Sequence, residues 1–190
     1  QALKPELSRH VNAGLSMRLK SFLSFTLDFY YITIDDRIVL SGRFDNGYEA
    51  TLQPLGVSAA QFFTNAIDTG TKGLDAVIAY KTSSASKTFT ASLALNLNKT
   101  NLRGSINVPT ALAGVESTLF NREEISRVED IQPPVKLTSS LNYQMGKTKV
   151  EMRNTYFGPV KYVHPSDGSA ANWTLNENTG NIESRDQTFS

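Results

Sequence analysis

Cysteine is absent from the 190 residues. That excludes a disulfide framework, a thiolate zinc site and a cysteine nucleophile. Only two histidines, His10 and His164, are present, leaving little material for imidazole metal sites or catalytic triads. Charge is also scarce, at 19% of residues against roughly 25% in an ordinary soluble domain. It is balanced as well, with a formal net charge of +1. A near-neutral balance argues against nucleic acid, a partner that calls for a strong basic field. No stretch approaches the roughly 20 consecutive apolar residues of a membrane-spanning helix. Helical membrane proteins are thereby excluded, but membrane barrels are not, because their signal is alternation.

Alternation is what the chain has in place of long runs. Val11, Ala13, Leu15, Met17 and Leu19 share one phase, with Asn12, Gly14, Ser16 and Arg18 in the other. A short turn at Lys20-Ser21 leads to Leu23, Phe25, Leu27, Phe29 and Tyr31, after which the phase blurs towards Arg37. A third strand is expected from Phe62 to Lys81, and a fourth carries Phe89, Ala91, Leu93, Leu95 and Leu97. The fifth carries Val135, Leu137, Leu141, Tyr143 and Met145, and the sixth Val150, Met152 and Tyr156. A seventh is expected to begin near Ser184. Hydrophobic residues total only 39%, and Ser, Thr, Asn and Gln fill the opposite phase.

Such a pattern gives each strand one apolar and one wet face. In a soluble protein the apolar face rests on a core; in a membrane barrel it meets lipid. Three features favour the barrel. The clean runs are about nine to eleven residues long, the length a tilted strand needs to cross a bilayer. The polar phase is small and uncharged in mid-strand. Connections alternate between short (Lys20-Ser21, Thr82 to Ser86, Gly146-Lys147) and long (Gly42 to Ala60, Asn101 to Pro134, His164 to Glu183). Short turns on one side and long loops on the other is the outer-membrane pattern. The expected fold is all-β: an antiparallel up-and-down meander of six to seven strands, part of a transmembrane barrel. A soluble all-β ligand-binding module of a secreted or periplasmic protein is the alternative.

The second long connection should hold a short helix near Arg122 to Glu129. Asn121 can cap it, Glu124 three residues on completes a capping box, and Pro133-Pro134 forbids continuation. His164-Pro165-Ser166-Asp167-Gly168 opens a polar loop.

Other chemistry is sparse. Gly146-Lys147-Thr148 resembles the end of a phosphate-binding loop, but Leu141 stands where that motif needs glycine, so a hairpin turn is expected. His164, Ser166 and Asp167 are triad residue types, yet sequence neighbours cannot adopt triad geometry. Asp35-Asp36 on a strand point to opposite faces, so a shared metal is not expected. Lys149, Glu151 and Arg153, on the polar face, are expected to form cross-strand ion pairs. No catalytic, cofactor or metal residue is assigned, and no ligand residue can be named.

Three segments carry a family resemblance. The run Leu27-Asp28-Phe29-Tyr30-Tyr31-Ile32-Thr33-Ile34-Asp35-Asp36-Arg37-Ile38-Val39-Leu40-Ser41-Gly42 resembles a late barrel strand of TonB-dependent outer-membrane receptors. Asn65-Ala66-Ile67-Asp68-Thr69-Gly70-Thr71-Lys72-Gly73-Leu74-Asp75 resembles the next strand. Asn154-Thr155-Tyr156-Phe157-Gly158 resembles a later one ending in an aromatic-Gly pair. Order and spacing carry the resemblance over nearly the whole chain. It implies a transporter barrel of about 22 strands with a plug in its lumen, in the outer membrane of a Gram-negative bacterium and driven by the TonB complex. Implied substrates are siderophores, haem, cobalamin or glycans, and no enzyme activity is implied.

The chain opens Gln1-Ala2-Leu3-Lys4-Pro5 and stops at Gln187-Thr188-Phe189-Ser190. Residues 1–190 therefore read as one incomplete segment of the barrel domain, without plug or TonB box. Two geometric expectations follow. The short turns should lie at one end of the sheet and the long connections at the other. Phe25, Leu27, Phe89, Leu93, Leu137 and Leu141 should share one face. In water that face should be covered, by inward curling or by self-association of the isolated fragment.

Overall fold

The computed structural model describes residues 2–45, 47–108, 113–164, 174–176, 181–183 and 186–189. Six long strands form one antiparallel meander in chain order: β1 Leu7–Lys20, β2 Leu23–Leu40, β3 Phe63–Ser83, β4 Lys87–Arg103, β5 Val135–Met145 and β6 Thr148–Phe157. The connections after β1, β3 and β5 therefore lie together at one end. There Lys81 N donates to Phe22 O at 2.8 Å and Gly146 N to Ser86 O at 3.1 Å. Gly146 has φ +56, the left-handed backbone a tight hairpin takes most readily at glycine. The first turn is Ser21-Phe22, one residue later than the sequence suggests.

The connections after β2 and β4 lie at the opposite end. The first holds the short helix α1 Glu49–Leu52 and a 3-10 turn, Gln53–Leu55. The second holds α2 Glu116–Leu119 and α3 Arg122–Glu129. Four short strands follow: β7 Val160–Tyr162, β8 Thr174–Asn176, β9 Asn181–Glu183 and β10 Gln187–Phe189. The expected seventh wall strand is not found among the described residues. Instead β10 pairs with β7 and β8 with β9, outside the six-stranded sheet.

Register fixes the faces. Leu15, Leu27, Ala76, Leu95, Leu137 and Tyr156 form one continuous cross-strand row. The next row on that face runs Met17, Phe25, Ile78 and Leu93. All six marker residues share this face, as expected. None is buried within the chain, and Leu93 and Leu141 remain 43% and 44% exposed. The sheet has not curled inwards around them. Near the short turns an aromatic group stands on this face. Phe22 meets Tyr80 edge-on at 5.4 Å, and Tyr80 lies 6.2 Å from Phe89.

The opposite face is polar. Asp28, Asp75, Asn96 and Lys136 form one row, and Thr26, Val77, Ala94, Thr138 and Thr155 the next. Asn96 Nδ2 donates to Asp75 Oδ1 at 2.6 Å, and Thr71 and Thr100 share a hydroxyl hydrogen bond of 2.7 Å. The ion pairs of β6 run within the strand, Lys149 to Glu151 at 3.4 Å and Arg153 to Glu151 at 3.9 Å. They do not cross strands because Gln144, Asn142 and Ser140, all uncharged, stand opposite.

The blurred phase of β2 is a β-bulge. Register shifts between Ile34 and Arg37, and Asp36 takes φ 54, a conformation aspartate tolerates better than most residues. Two residues of β3 hold the bulge. Asp36 N donates to Asp68 Oδ1 at 2.8 Å, and Asn65 Nδ2 donates to Asp36 O at 2.6 Å. Asp35 is gripped by Arg9 and Arg103.

The fully buried residues lie at the long-connection end. Ala66, Ile67 and Phe120 form the central cluster, packed by Val39, Leu102, Ile106, Ile125 and Val128. Burying a side chain the size of Ile67 or Phe120 contributes roughly 1.5–3 kcal/mol. The hydrophobic core thus fixes the connections to the tops of β2, β3 and β4, while the main apolar face of the sheet stays uncovered.

Candidate functional site

The long connections form a packed platform. Gly42 N donates to Leu119 O at 2.8 Å, joining the two connections directly. A Cβ on Gly42 would collide with the Thr118 carbonyl oxygen, so only glycine permits this approach. Tyr48 Oη donates to Thr118 Oγ1 at 3.3 Å, and Phe44 stacks on Phe62 at 5.6 Å.

Helix α3 has the predicted bounds and the predicted cap. Asn121 Oδ1 accepts from Glu123 N at 2.9 Å and Glu124 N at 3.1 Å. The reciprocal half of the capping box is not what Glu124 does. Its carboxylate accepts from Arg127 Nη1 at 2.8 Å. Burial pushes the Glu124 pKa up, and Arg127 only partly offsets it.

This helix also seals a strand edge. β4 outruns β5, so the backbone from Asn98 onwards lacks a strand partner on that side. Unpaired edges invite association with other strands. Here Asn98 N donates to Pro134 O at 2.9 Å, and Leu102 N to Glu129 Oε1 at 2.7 Å.

Asp186 locks the segment after β6 onto α3. Arg122 donates to both its oxygens, Nη1 to Oδ1 and Nη2 to Oδ2, each at 2.7 Å. Arg122 Nη1 also donates to His164 O at 2.7 Å, and His164 N donates to Asp186 Oδ1 at 2.9 Å. The Arg122 hydrogen bonds, with help from the His164 amide and Lys161, hold the Asp186 pKa down at about 2. Paired ionic hydrogen bonds of this geometry are among the stronger polar contacts in proteins.

In the first long connection, a depression of about 460 Å³ is lined by Asp45, Glu49, Leu52, Gln53 and residues 56–58. Glu49 accepts from Gly47 N at 3.1 Å, and backbone amides hold its carboxyl below the usual range. Asp45 pairs with Arg43 at 2.9 Å, while the Glu49 carboxylate is exposed and, carried on a braced platform, can take a hydrogen bond or a cation from a ligand.

The sequence-level candidates fall elsewhere. Asp35 and Asp36 both lie in the bulge, where Asp35 pairs with Arg9 and Arg103 and the backbone of Asp36 is held by Asp68 and Asn65. His10 lies inside β1, with Nε2 2.7 Å from Ser8 Oγ. Gly146-Lys147 is a hairpin turn. Ser166, Asp167, Gly168 and Ser184 lie outside the described residues, as does most of the third long connection. Among the described residues, no group of three His, Asp or Glu side chains could hold a metal. The Arg122–Asp186 lock leaves no signal in the sequence, because its partners are 64 residues apart with no local pattern around Asp186.

Residues 1–187 match the TonB dependent receptor-like, beta-barrel family. The chain belongs to that family. Among solved structures it is similar to the FrpB iron transporter from Neisseria meningitidis (F3-3 variant), with a TM-score of 0.55 and 16% identity. The match covers 98% of this chain and 23% of that one, and at this identity it speaks for the fold alone. Comparison with curated proteins gives no match.

Proposed function

We propose that residues 1–190 are one segment of the wall and outer surface of an outer-membrane receptor. The receptor imports a scarce nutrient by TonB-driven transport. The uncovered apolar face carries this reading. On β4, the ten residue steps from Phe89 to Lys99 rise roughly 33 Å along the strand. At a tilt of about 40° that is roughly 25 Å, the height of the lipid-facing band of outer-membrane barrels. Such a face is stable against hydrocarbon and costly in water. Beyond the band, β2, β3 and β4 continue and carry the platform into the external medium.

In this reading the polar face looks into the lumen and meets the plug domain of the same receptor. TonB acts through parts of the receptor outside this chain. The platform captures substrate, and catalysis has no part in it. Siderophores, haem, cobalamin and glycans are the candidate substrate classes. Iron-bearing substrates come first for testing, because the neighbour FrpB is an iron transporter.

The test replaces residues 43–59 and 105–120 of the receptor by short Gly-Ser turns. Barrel insertion should persist, while binding and uptake of the substrate found in a growth panel should be lost. Unchanged uptake would overturn the capture role.

A further inference from the structure

The uncovered face of the sheet is interrupted at one place. Three rows separate Tyr80, in the aromatic group near the short turns, from Lys72 at the other end. On β1 to β4 these rows hold only apolar side chains on this face, from Ala13 to Met17, Phe25 to Phe29, Leu74 to Ile78 and Leu93 to Leu97. On β5 and β6 two polar side chains break them. Ser139 stands in the phase of Leu137 and Leu141, and Asn154 in the phase of Met152 and Tyr156. The two are directly opposite in the β5–β6 register, and Leu93 faces Ser139 from β4.

The break is not at the margin of the apolar face. Ser139 is four residue steps from Tyr143 and four from Val135. At a tilt of about 40° it therefore lies roughly 10 Å inside the apolar stretch of its strand. Asn154 is exposed, and neither side chain has a hydrogen bond among the described residues. Hydrocarbon offers an amide nothing, and polar groups at membrane depth are accordingly rare and mark contacts or pathways. Ser139 is also the smallest side chain of its row, which runs Met17, Phe25, Ile78, Leu93, Ser139 and Asn154. It leaves a notch beside Leu93, and small residues of this kind let membrane-embedded elements approach closely.

Whatever covers the break must supply hydrogen bonds at one depth. A lipid tail has none. A second copy of the receptor has them by symmetry. Copies inserted with the same orientation are related by an axis along the membrane normal, so each residue meets its counterpart at equal depth. A polar step at one depth then faces the same polar step. The Asn154 amide and the Ser139 hydroxyl both donate and accept. The step is thus complementary to itself, as a twofold contact requires, and brings no like charges together.

We propose that the β5–β6 stretch of the wall is the contact between two copies of the receptor. Asn154 and Ser139 of one copy bond to Asn154 and Ser139 of the other across a twofold axis, with Leu141, Met152 and Tyr156 packed around them. The inference rests on the reading of this face as the lipid-facing wall, and names the place where protein replaces lipid.

The test uses the complete receptor containing this chain, carrying one fluorophore per copy and reconstituted in lipid vesicles at graded dilution. Single-molecule photobleaching counts the copies in each spot. The parent should be dimeric and dissociate on dilution. Asn154→Leu extends the apolar face and leaves folding intact. It should weaken dimerisation about tenfold, because the lost amide bond counts twice by symmetry. Phe25→Leu, on the same row but on β2, should match the parent. A parent that stays monomeric at every dilution, or equal affinity in Asn154→Leu, would overturn the proposal. So would a monomer that retains a different protein through purification. A second probe keeps the underlying reading distinguishable. A fluorophore on Ile78→Cys, on the same row and away from the contact, must be quenched by brominated lipid. If it is not, the lipid-wall reading fails and this contact with it; if it is while the parent stays monomeric, only the contact fails.

Discussion

Tyr30 and Gly73 are cross-strand partners, and the Tyr30 ring fills the space a side chain on Gly73 would occupy. On the polar face this lets an aromatic lie flat over a strand that would otherwise expose bare backbone. Gly73→Val should displace the ring and destabilise the sheet by about 1–3 kcal/mol, read as a lower denaturant midpoint in detergent micelles. Tyr30→Phe keeps the ring and should cost far less. Equal midpoints for Gly73→Val and the parent would contradict the arrangement.

Arg122 and Asp186 brace the segment after β6 against α3. Removing the guanidinium takes the bidentate partner from a carboxylate that is only 14% exposed. Arg122→Ala should therefore loosen residues 160–164 and α3 by about 2 kcal/mol. Amide hydrogen exchange should speed up there and stay unchanged in β5. Uniform exchange across both regions would show that the lock holds nothing locally.

The same pair sets a pH window. Asp186 has a pKa of about 2 in the fold, below its unfolded value near 4. Its contribution is complete above about pH 4 and disappears as pH falls from there through 2. Glu124 works in the opposite sense, since its folded pKa is raised by burial and protonation favours its folded form. Local opening at residues 160–164, measured as exchange relative to the intrinsic amide rate at each pH, should thus hold steady from neutral pH down to about 4 and rise below it. Asp186→Asn should flatten that rise. An identical rise in the variant would assign the acid sensitivity elsewhere.

Sidedness can be read in intact cells. The parent chain lacks cysteine, so single cysteines report cleanly on a receptor background free of others. Val57→Cys and Gly114→Cys should react with an impermeant maleimide added outside. Ala85→Cys and Lys147→Cys should react only after the membrane is broken. Labelling of Lys147→Cys from outside would invert the orientation.

The strands were legible where one solvent boundary runs the whole length of an element. β5 matches its expected bounds because the alternation from Val135 to Met145 is interrupted only at Ser139. β4 extends to Arg103, beyond the last apolar residue in phase, because the backbone ladder continues after the lipid-facing band stops. Lys99, Asn101 and Arg103 keep the geometry of Leu97 but not its chemistry. β1 likewise starts at Leu7 rather than Val11, with Arg9 standing in the apolar phase to meet Asp35. Helix α3 was readable from Asn121 and the proline stop, both local signals. The platform was not. Gly42 against Leu119 and Arg122 against Asp186 are long-range contacts, decided by packing that no local spacing encodes.

The central claim is that one face of the sheet meets hydrocarbon and the other a polar lumen. Site-directed fluorescence along β4 of the assembled receptor tests it most directly, with labels placed singly at Leu93, Ala94, Leu95, Asn96 and Leu97 through cysteine substitution. Brominated lipid should quench the labels at 93, 95 and 97, while those at 94 and 96 should respond only to an aqueous quencher. Quenching that lacks this period of two, or that favours 94 and 96, would contradict the account.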